Sequence, residues 1–225
     1  MEQNLKLLQL RELLAKRFPG LRTRLDELST KTYACWPTGI PRIDTLLHGG
    51  LPKAAISEFV GEKSGSGSSL IIHTLLRQAH KTNQFIALID GADSFDPTAL
   101  DQEILSRLLW IRCHNASEAM KCADILLRDR NLPLVILDLK LNPAQELRKI
   151  PGTTWYRLQR VVEQTSTAFL VVTPRAMVSG AEVRLVLKNN FALEDLERDQ
   201  TNLLKKFSAE LVQERTSAET ARQSA

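Results

Sequence analysis

Six apolar runs of strand length recur along the chain: AAISEFV (54–60), QFIALID (84–90), LLWIRC (108–113), LPLVILD (132–138), TAFLVV (167–172) and AEVRLVL (181–187). Most are nearly all apolar rather than alternating, which is the pattern of strands buried on both faces of a parallel sheet. Segments of helical period lie between them, at about 68–82, 97–107, 117–130 and 154–165. They are long enough to act as crossovers between parallel strands. Asp96 before Pro97 reads as a helix cap with proline in the first turn, and Ser117 reads as the start of the next helix. The order predicts an α/β fold, a mostly parallel sheet flanked by helices.

Two amphipathic segments lie outside this series. Residues 2–18 place Leu7, Leu10, Leu14 and Phe18 on one helical face, and Pro19-Gly20 breaks the pattern. Residues 192–215, read as a second helix, place Leu193, Leu196, Leu203, Phe207 and Leu211 together, and SAETARQSA ends the chain as a frayed tail. The organisation predicted is an N-terminal helical extension (1–36), a core (37–190) and a C-terminal helix with a flexible tail (191–225). Each arm packs on the core or docks on a partner, and the Leu7, Leu10, Leu14 and Phe18 stripe is the first candidate for a partner contact.

Composition narrows the setting without choosing a function. With 225 residues, 43% hydrophobic and 25% charged, a sizeable core is available. Three cysteines form no paired framework, no run approaches a membrane span, and the first residues lack the pattern of a secretory signal, so a cytoplasmic protein is expected. A net charge of +4 permits weak, non-specific DNA binding but does not require it. Cys113, His114 and Cys122 lack zinc spacing, and no metal site is expected.

The chemistry concentrates in VGEKSGSGSSL (60–70), between a buried strand and a helix, where backbone N–H groups and the helix dipole receive phosphate. A phosphate loop requires glycine, four residues, glycine, lysine and a hydroxyl residue. Gly61 fits, Ser66 stands at the second glycine, Gly67 at the lysine, and Ser68 keeps the hydroxyl. Lys63 lies earlier in the loop and approaches from another direction. Gly61, Lys63, Gly65, Ser66, Gly67, Ser68 and Ser69, with Asp138 at the end of VILD, form a vestigial nucleotide or anion site at which weak phosphate binding is the expectation.

TGIPRIDTLLHGGLPKAAISEFVG (38–61), FIALIDGADSFDP (85–97) and LLWIRCHNASEAMKCADILLRDRNLPLVILD (108–138) resemble, in order, the entry and central strands of the RecA core, with Ala54 departing from a usual glycine. The resemblance covers about residues 37–190. Short size, a helical N-terminal extension and an eroded site make the chain most similar to ImuA, a SulA-like branch of RecA relatives in bacterial mutagenic translesion synthesis.

That resemblance implies a RecA-like core and identifies what has changed. The water-positioning glutamate corresponds to Ala92, the adenine-stacking tyrosine to Ala99, and the Walker-B aspartate to Asp138. Asp90 reads as a structural turn residue, and Asp93 falls at a different position. Thr173-Pro174 replaces the pair that opens RecA's mobile DNA loop, and little chain separates it from AEVRLVL. Arg148, Lys149, Arg157, Arg160 and Arg175 are the basic residues near that former DNA face, with Trp155 and Tyr156 as possible base platforms. The implied function is a non-hydrolysing accessory protein in DNA-damage tolerance, partnered by an ImuB-like inactive Y-family polymerase and by RecA. The competing expectations are an ATP-driven recombination or remodelling enzyme with an unorthodox loop, and a SulA-like inhibitor of cell division.

Overall fold

The computed structural model describes residues 34–189, 191 and 200–214. The Leu7, Leu10, Leu14 and Phe18 stripe, Leu193 and Leu196 lie outside the described residues. A small antiparallel ladder, β1 (Cys35–Trp36) with β2 (Leu51–Pro52), encloses helix α1 (Pro41–Leu46). The main sheet takes β3 (Ala55–Val60), β4 (Ile86–Asp90), β5 (Leu108–Arg112), β6 (Leu134–Asp138), β7 (Ala168–Thr173), β8 (Val183–Leu187) and β9 (Ala209–Glu214) in the order β5-β4-β6-β7-β3-β8-β9. All neighbours are parallel except β8 and β9.

The apolar runs form strands because both faces of each central strand are covered. Along β4, Ile86 and Leu88 join one buried cluster with Phe59, Ile71, Leu75, Ile136 and Leu170, while Ala87 and Ile89 join the other with Ala119, Leu127, Val135, Trp155 and Phe169. Helix α2 (Ser68–Lys81) covers the first face. Helices α4 (Ala116–Asp129) and α6 (Gly152–Val162) cover the second. The expected α/β architecture, a mostly parallel sheet flanked by helices, is the one observed.

Local boundaries differ where side chains compete with the helical period. The segment 97–107 divides into a 3₁₀ turn, Pro97–Ala99, and α3 (Gln102–Leu105), because Leu100 turns into the core on extended backbone. Asp96 caps the turn as expected, its carboxylate accepting from Thr98 N. The α4 cap is Asn115 rather than Ser117, with the Asn115 side chain accepting from Glu118 N. After β6 a further short helix, α5 (Ala144–Leu147), precedes α6.

The expected helix over 192–215 is corrected in its described part. Helix α7 (Gln200–Lys206) stops before Phe207, and β9 then runs antiparallel to β8, with Leu185 opposite Leu211. Phe207 and Leu211 share helical spacing, but the exposure of Glu210 and Val212 between more buried neighbours is a strand's alternation. Pairing with β8 supplies the backbone partners that an isolated helix turn would otherwise provide.

Candidate functional site

The carboxyl ends of β3, β4, β6 and β7 converge on one crevice edge, the position where open parallel sheets carry their ligands. The glycine-serine loop leaves β3 there and enters the N-terminus of α2. Gly61 N–H donates to Thr173 O at 2.9 Å, anchoring the loop to β7. Gly65 and Gly67 have φ of +70° and +88°, a left-handed conformation that side chains resist, so the two glycines are required by the path of the loop. Ser68 and Ser69 occupy the first turn of α2, whose leading N–H groups have no intrahelical acceptors.

The lysine position is enclosed. At Gly67, a Cβ would meet Phe191 Cε2 at 3.0 Å, Phe207 Cε2 at 3.2 Å and Asn189 Nδ2 at 3.3 Å. The segment after β8 also holds the loop by its carbonyls: Asn189 Nδ2 donates to Ser66 O at 2.9 Å, and Phe191 N–H to Gly65 O at 3.0 Å. Asn189 is itself fixed by Ser208 N–H, which donates to its Oδ1. The chain between β8 and β9 therefore shapes the phosphate loop.

Asp138 ends β6 beside Asp90 of β4, the two standing opposite in register. Asp90 is buried and accepts from Ser94 N, Ser94 Oγ and Phe95 N, which makes it the turn residue expected. Asp93 is taken by Arg112 in a bidentate pair of 2.6 and 2.8 Å. Asp138 Oδ1 accepts one N–H, from Lys140, at 2.9 Å. Burial pushes the Asp138 carboxyl up to about 6; the Lys140 N–H bond opposes this, the Asp90 charge adds to it, and the Lys140 charge opposes it.

A raised carboxyl favours the folded protein in acid. The protonated form's advantage is complete below about pH 4 and is lost as pH climbs through about 6, so the charged carboxylate is a burden at neutral pH. Asp138→Asn, which keeps the acceptor for Lys140 N–H, is expected to gain about 1–2 kcal/mol at pH 7 and to flatten the stability profile between pH 4 and 6. Urea melts across that range measure it, and a loss of stability at pH 7 would contradict the assignment.

Sequence reasoning missed Lys140. Its side chain crosses to the phosphate loop, and its Nζ donates to Lys63 O at 3.2 Å, while the Lys63 side chain is exposed. Nζ also lies 3.2 Å from where a Cβ on Gly61 would stand, and the Ser66 hydroxyl lies 2.4 Å from the same point. Gly61, Ser66 and Lys140 are thus gathered at one place. The signal in the sequence was a lysine two residues beyond an aspartate at a buried strand's end.

The basic residues near the former DNA face are divided. Arg148 and Arg175 line one hollow with Ile150, Met177 and Ser179. Arg157 is directed to Asp124 of α4 at 3.6 Å. Trp155 is core, whereas Tyr156 is exposed. The turn joining β7 to β8 is pinned from below: Glu58, wholly buried on β3, accepts from Thr173 Oγ1, Met177 N and Val178 N and pairs with Arg184. Among the described residues no helix is long and apolar enough to cross a membrane, and no metal-ligating cluster occurs.

No protein-family model matches the chain. Similar curated proteins carry the name RecA. That of Picosynechococcus sp. is 29% identical over 145 residues, covering 62% of this chain and 41% of the relative. That of Methylococcus capsulatus is 31% identical over 128 residues, covering 55% and 37%. That of Desulfotalea psychrophila is 28% identical over 164 residues, covering 70% and 46%. The chain spans less than half the length of these relatives. The chain is distantly similar to these RecA proteins over part of its length, and its α/β core, with the loop after β3, is consistent with that similarity.

Proposed function

We propose that the protein is a RecA-like accessory factor in bacterial DNA-damage tolerance, of the ImuA kind, acting in the cytoplasm through protein contacts rather than through nucleotide hydrolysis. The observation that carries this reading is the enclosed Gly67. Phosphoryl transfer on a P-loop depends on a lysine at that position and on a residue that orients the nucleophile. Here two phenylalanine rings and Asn189 crowd the first place, and Ala92 corresponds to the second. The residues present do not fit a magnesium-bound nucleoside triphosphate in a hydrolytic arrangement. Distant homology to RecA supports a role in DNA repair or recombination.

The same reading accounts for the β7–β8 connection. Its backbone is tied to Glu58 at Met177 and Val178, so it does not offer the long mobile loop that the RecA resemblance associates with single-stranded DNA. Partners are then proteins, an ImuB-like inactive polymerase relative and RecA, with DNA contacted weakly and non-specifically by surface arginine and lysine.

The full chain, purified and assayed with magnesium and ATP, is expected to release phosphate at the buffer rate and to retain the ImuB-like protein and RecA in a quantitative pull-down. Magnesium-dependent turnover abolished by Asp138→Ala would replace this reading with an ATP-driven one. Capture of the division GTPase with neither repair protein would replace it with control of cell division.

A further inference from the structure

We propose that the hollow between the β7–β8 turn and the N-terminus of α6 is a docking site for a peptide segment of a partner protein, one that sets a carboxylate beside an apolar side chain. The inference rests on reading the protein as one that acts through protein contacts, and it names a surface and the chemistry of what fills it.

The hollow encloses about 400 Å³, at the small end of ligand-sized clefts. Its floor is apolar: Leu147 and Trp155 are 2% and 1% exposed, and the partly buried Ile150 and Met177 pack with them on the cluster that covers the second face of the sheet. Its rim is cationic. Arg148, which caps α5, and Arg175, in the β7–β8 turn, come from separate elements, and both are exposed. Neither makes an ion pair among the described residues, and no acidic residue lines the hollow. A guanidinium fork is matched by a carboxylate, which it can hold through two parallel hydrogen bonds. The start of α6 forms a further wall, in an eleven-residue helix with no acidic residue in its first turn and no side chain capping it. That end of a helix carries partial positive charge, so the charge around the apolar floor is of one sign.

Gly152 leaves the space above the floor. A Cβ there would meet Ser179 Oγ at 3.7 Å, an ordinary contact, and the backbone at this position does not require glycine. Both residues line the hollow, so a side chain at Gly152 would enter it. The walls are set before a partner arrives: Glu58 accepts from Met177 N and Val178 N, which fixes the turn carrying Arg175, and Trp155 is anchored in the core. Little ordering cost is then left to binding.

The same features favour a peptide over a nucleic-acid strand. A strand is held by a row of cations along its backbone and by rings on which bases stack. Here Arg157 is turned to Asp124, the Trp155 ring is core, and the exposed Tyr156 does not line the hollow. An apolar floor under two arginine forks fits a Leu, Met or Phe side chain with a neighbouring Asp or Glu.

The test is an array of synthetic peptides that place Asp or Glu beside Leu, Met or Phe, probed with the full chain, and a matched array with Asn or Gln in place of each acid. The strongest peptide is then titrated in solution by fluorescence anisotropy. Acidic peptides are expected to bind and their amide counterparts not, and Arg148→Ala combined with Arg175→Ala should weaken binding about tenfold, or about 1.4 kcal/mol. Gly152→Leu, which fills the hollow and keeps both arginines, should weaken it as much. Lys81→Ala, on α2 at the opposite face of the sheet, should leave it unchanged. Circular dichroism checks each variant, and Gly152→Ala, with a smaller loss expected, replaces Gly152→Leu should the latter not fold. No binding by wild type, equal binding of acidic and amide peptides, or equal binding by wild type and the hollow's variants overturns the proposal. So does a thymidine oligonucleotide that displaces every peptide and whose own binding is lost with the two arginines but kept in Gly152→Leu, since the rim would then be a nucleic-acid contact. The accessory reading is judged separately, by retention of the ImuB-like protein and RecA on wild type, and stands where the hollow fails; steady magnesium-dependent turnover would defeat that reading and leave peptide binding as it is.

Discussion

Glu58→Ala is expected to destabilise the protein by about 3–5 kcal/mol, enough to leave a marginal domain largely unfolded at physiological temperature. The carboxylate is wholly buried in the middle of the sheet. One oxygen receives Thr173 Oγ1 at 3.0 Å, Met177 N at 2.8 Å and Val178 N at 3.2 Å; the other receives Arg184 Nε. Arg184 also donates to Val178 O and Gln213 Oε1, so the cluster joins β3, the β7–β8 turn, β8 and β9. Removing the carboxylate leaves a guanidinium, 16% exposed, without its counter-charge and two backbone N–H groups without acceptors. Each loss is expensive in a low-dielectric interior.

Urea denaturation of Glu58→Ala measures the loss. The double variant Glu58→Leu with Arg184→Leu should recover part of it, because exchanging a whole buried pair for apolar groups costs less than orphaning one member. A double variant no better than Glu58→Ala would mean that the turn's hydrogen bonds, rather than the ion pair, carry the effect. Since Thr173 also accepts from Gly61 N–H, loosening this cluster should reach the phosphate loop as well.

The parallel body of the fold was legible in the sequence because its determinants are local. Runs such as IALID and LVILD are apolar on both faces, and helical stripes of the right length separate them. β9 was not legible for the opposite reason. AELVQE is stabilised by pairing with β8 more than twenty residues earlier, and Phe207 and Leu211 are spaced as readily for a helix as for a strand flanked by a turn. The loop was recognisable from its glycines and from its place between β3 and α2. Its neighbours were not: Asn189, Phe191 and Phe207 reach Gly65–Gly67 from the far end of the chain, and Lys140 meets Lys63 across 77 positions. Sequence spacing exposes a motif's missing lysine, whereas only the packing reveals what has taken the space and where another lysine has arrived.

Restoring the absent residue is therefore expected to fail. Gly67→Lys should lower stability by about 2–4 kcal/mol and create no ATPase activity. The backbone at Gly67 is left-handed, φ +88°, a region that costs an L side chain about 1–2 kcal/mol. The new Cβ would press on Phe191 and Phe207 at 3.0 and 3.2 Å, and Phe207 is fully buried with its back to the core. Relieving that contact means moving Phe207, in the turn between α7 and β9, together with Asn189, whose amide holds Ser66 O and whose carbonyl receives Ser208 N–H. Overpacking of this kind adds about 1–3 kcal/mol. The ammonium would also have to leave an aromatic wall before it could face a phosphate. Gly67→Ala separates the contributions: it carries the backbone strain and the Cβ contact without the charge, and should account for most of the loss. Urea melts of both variants and a phosphate-release assay with magnesium and ATP give the answer. A stable Gly67→Lys protein that hydrolyses ATP would mean that the loop retains an active form and that the clasp of Asn189, Phe191 and Phe207 opens at little cost.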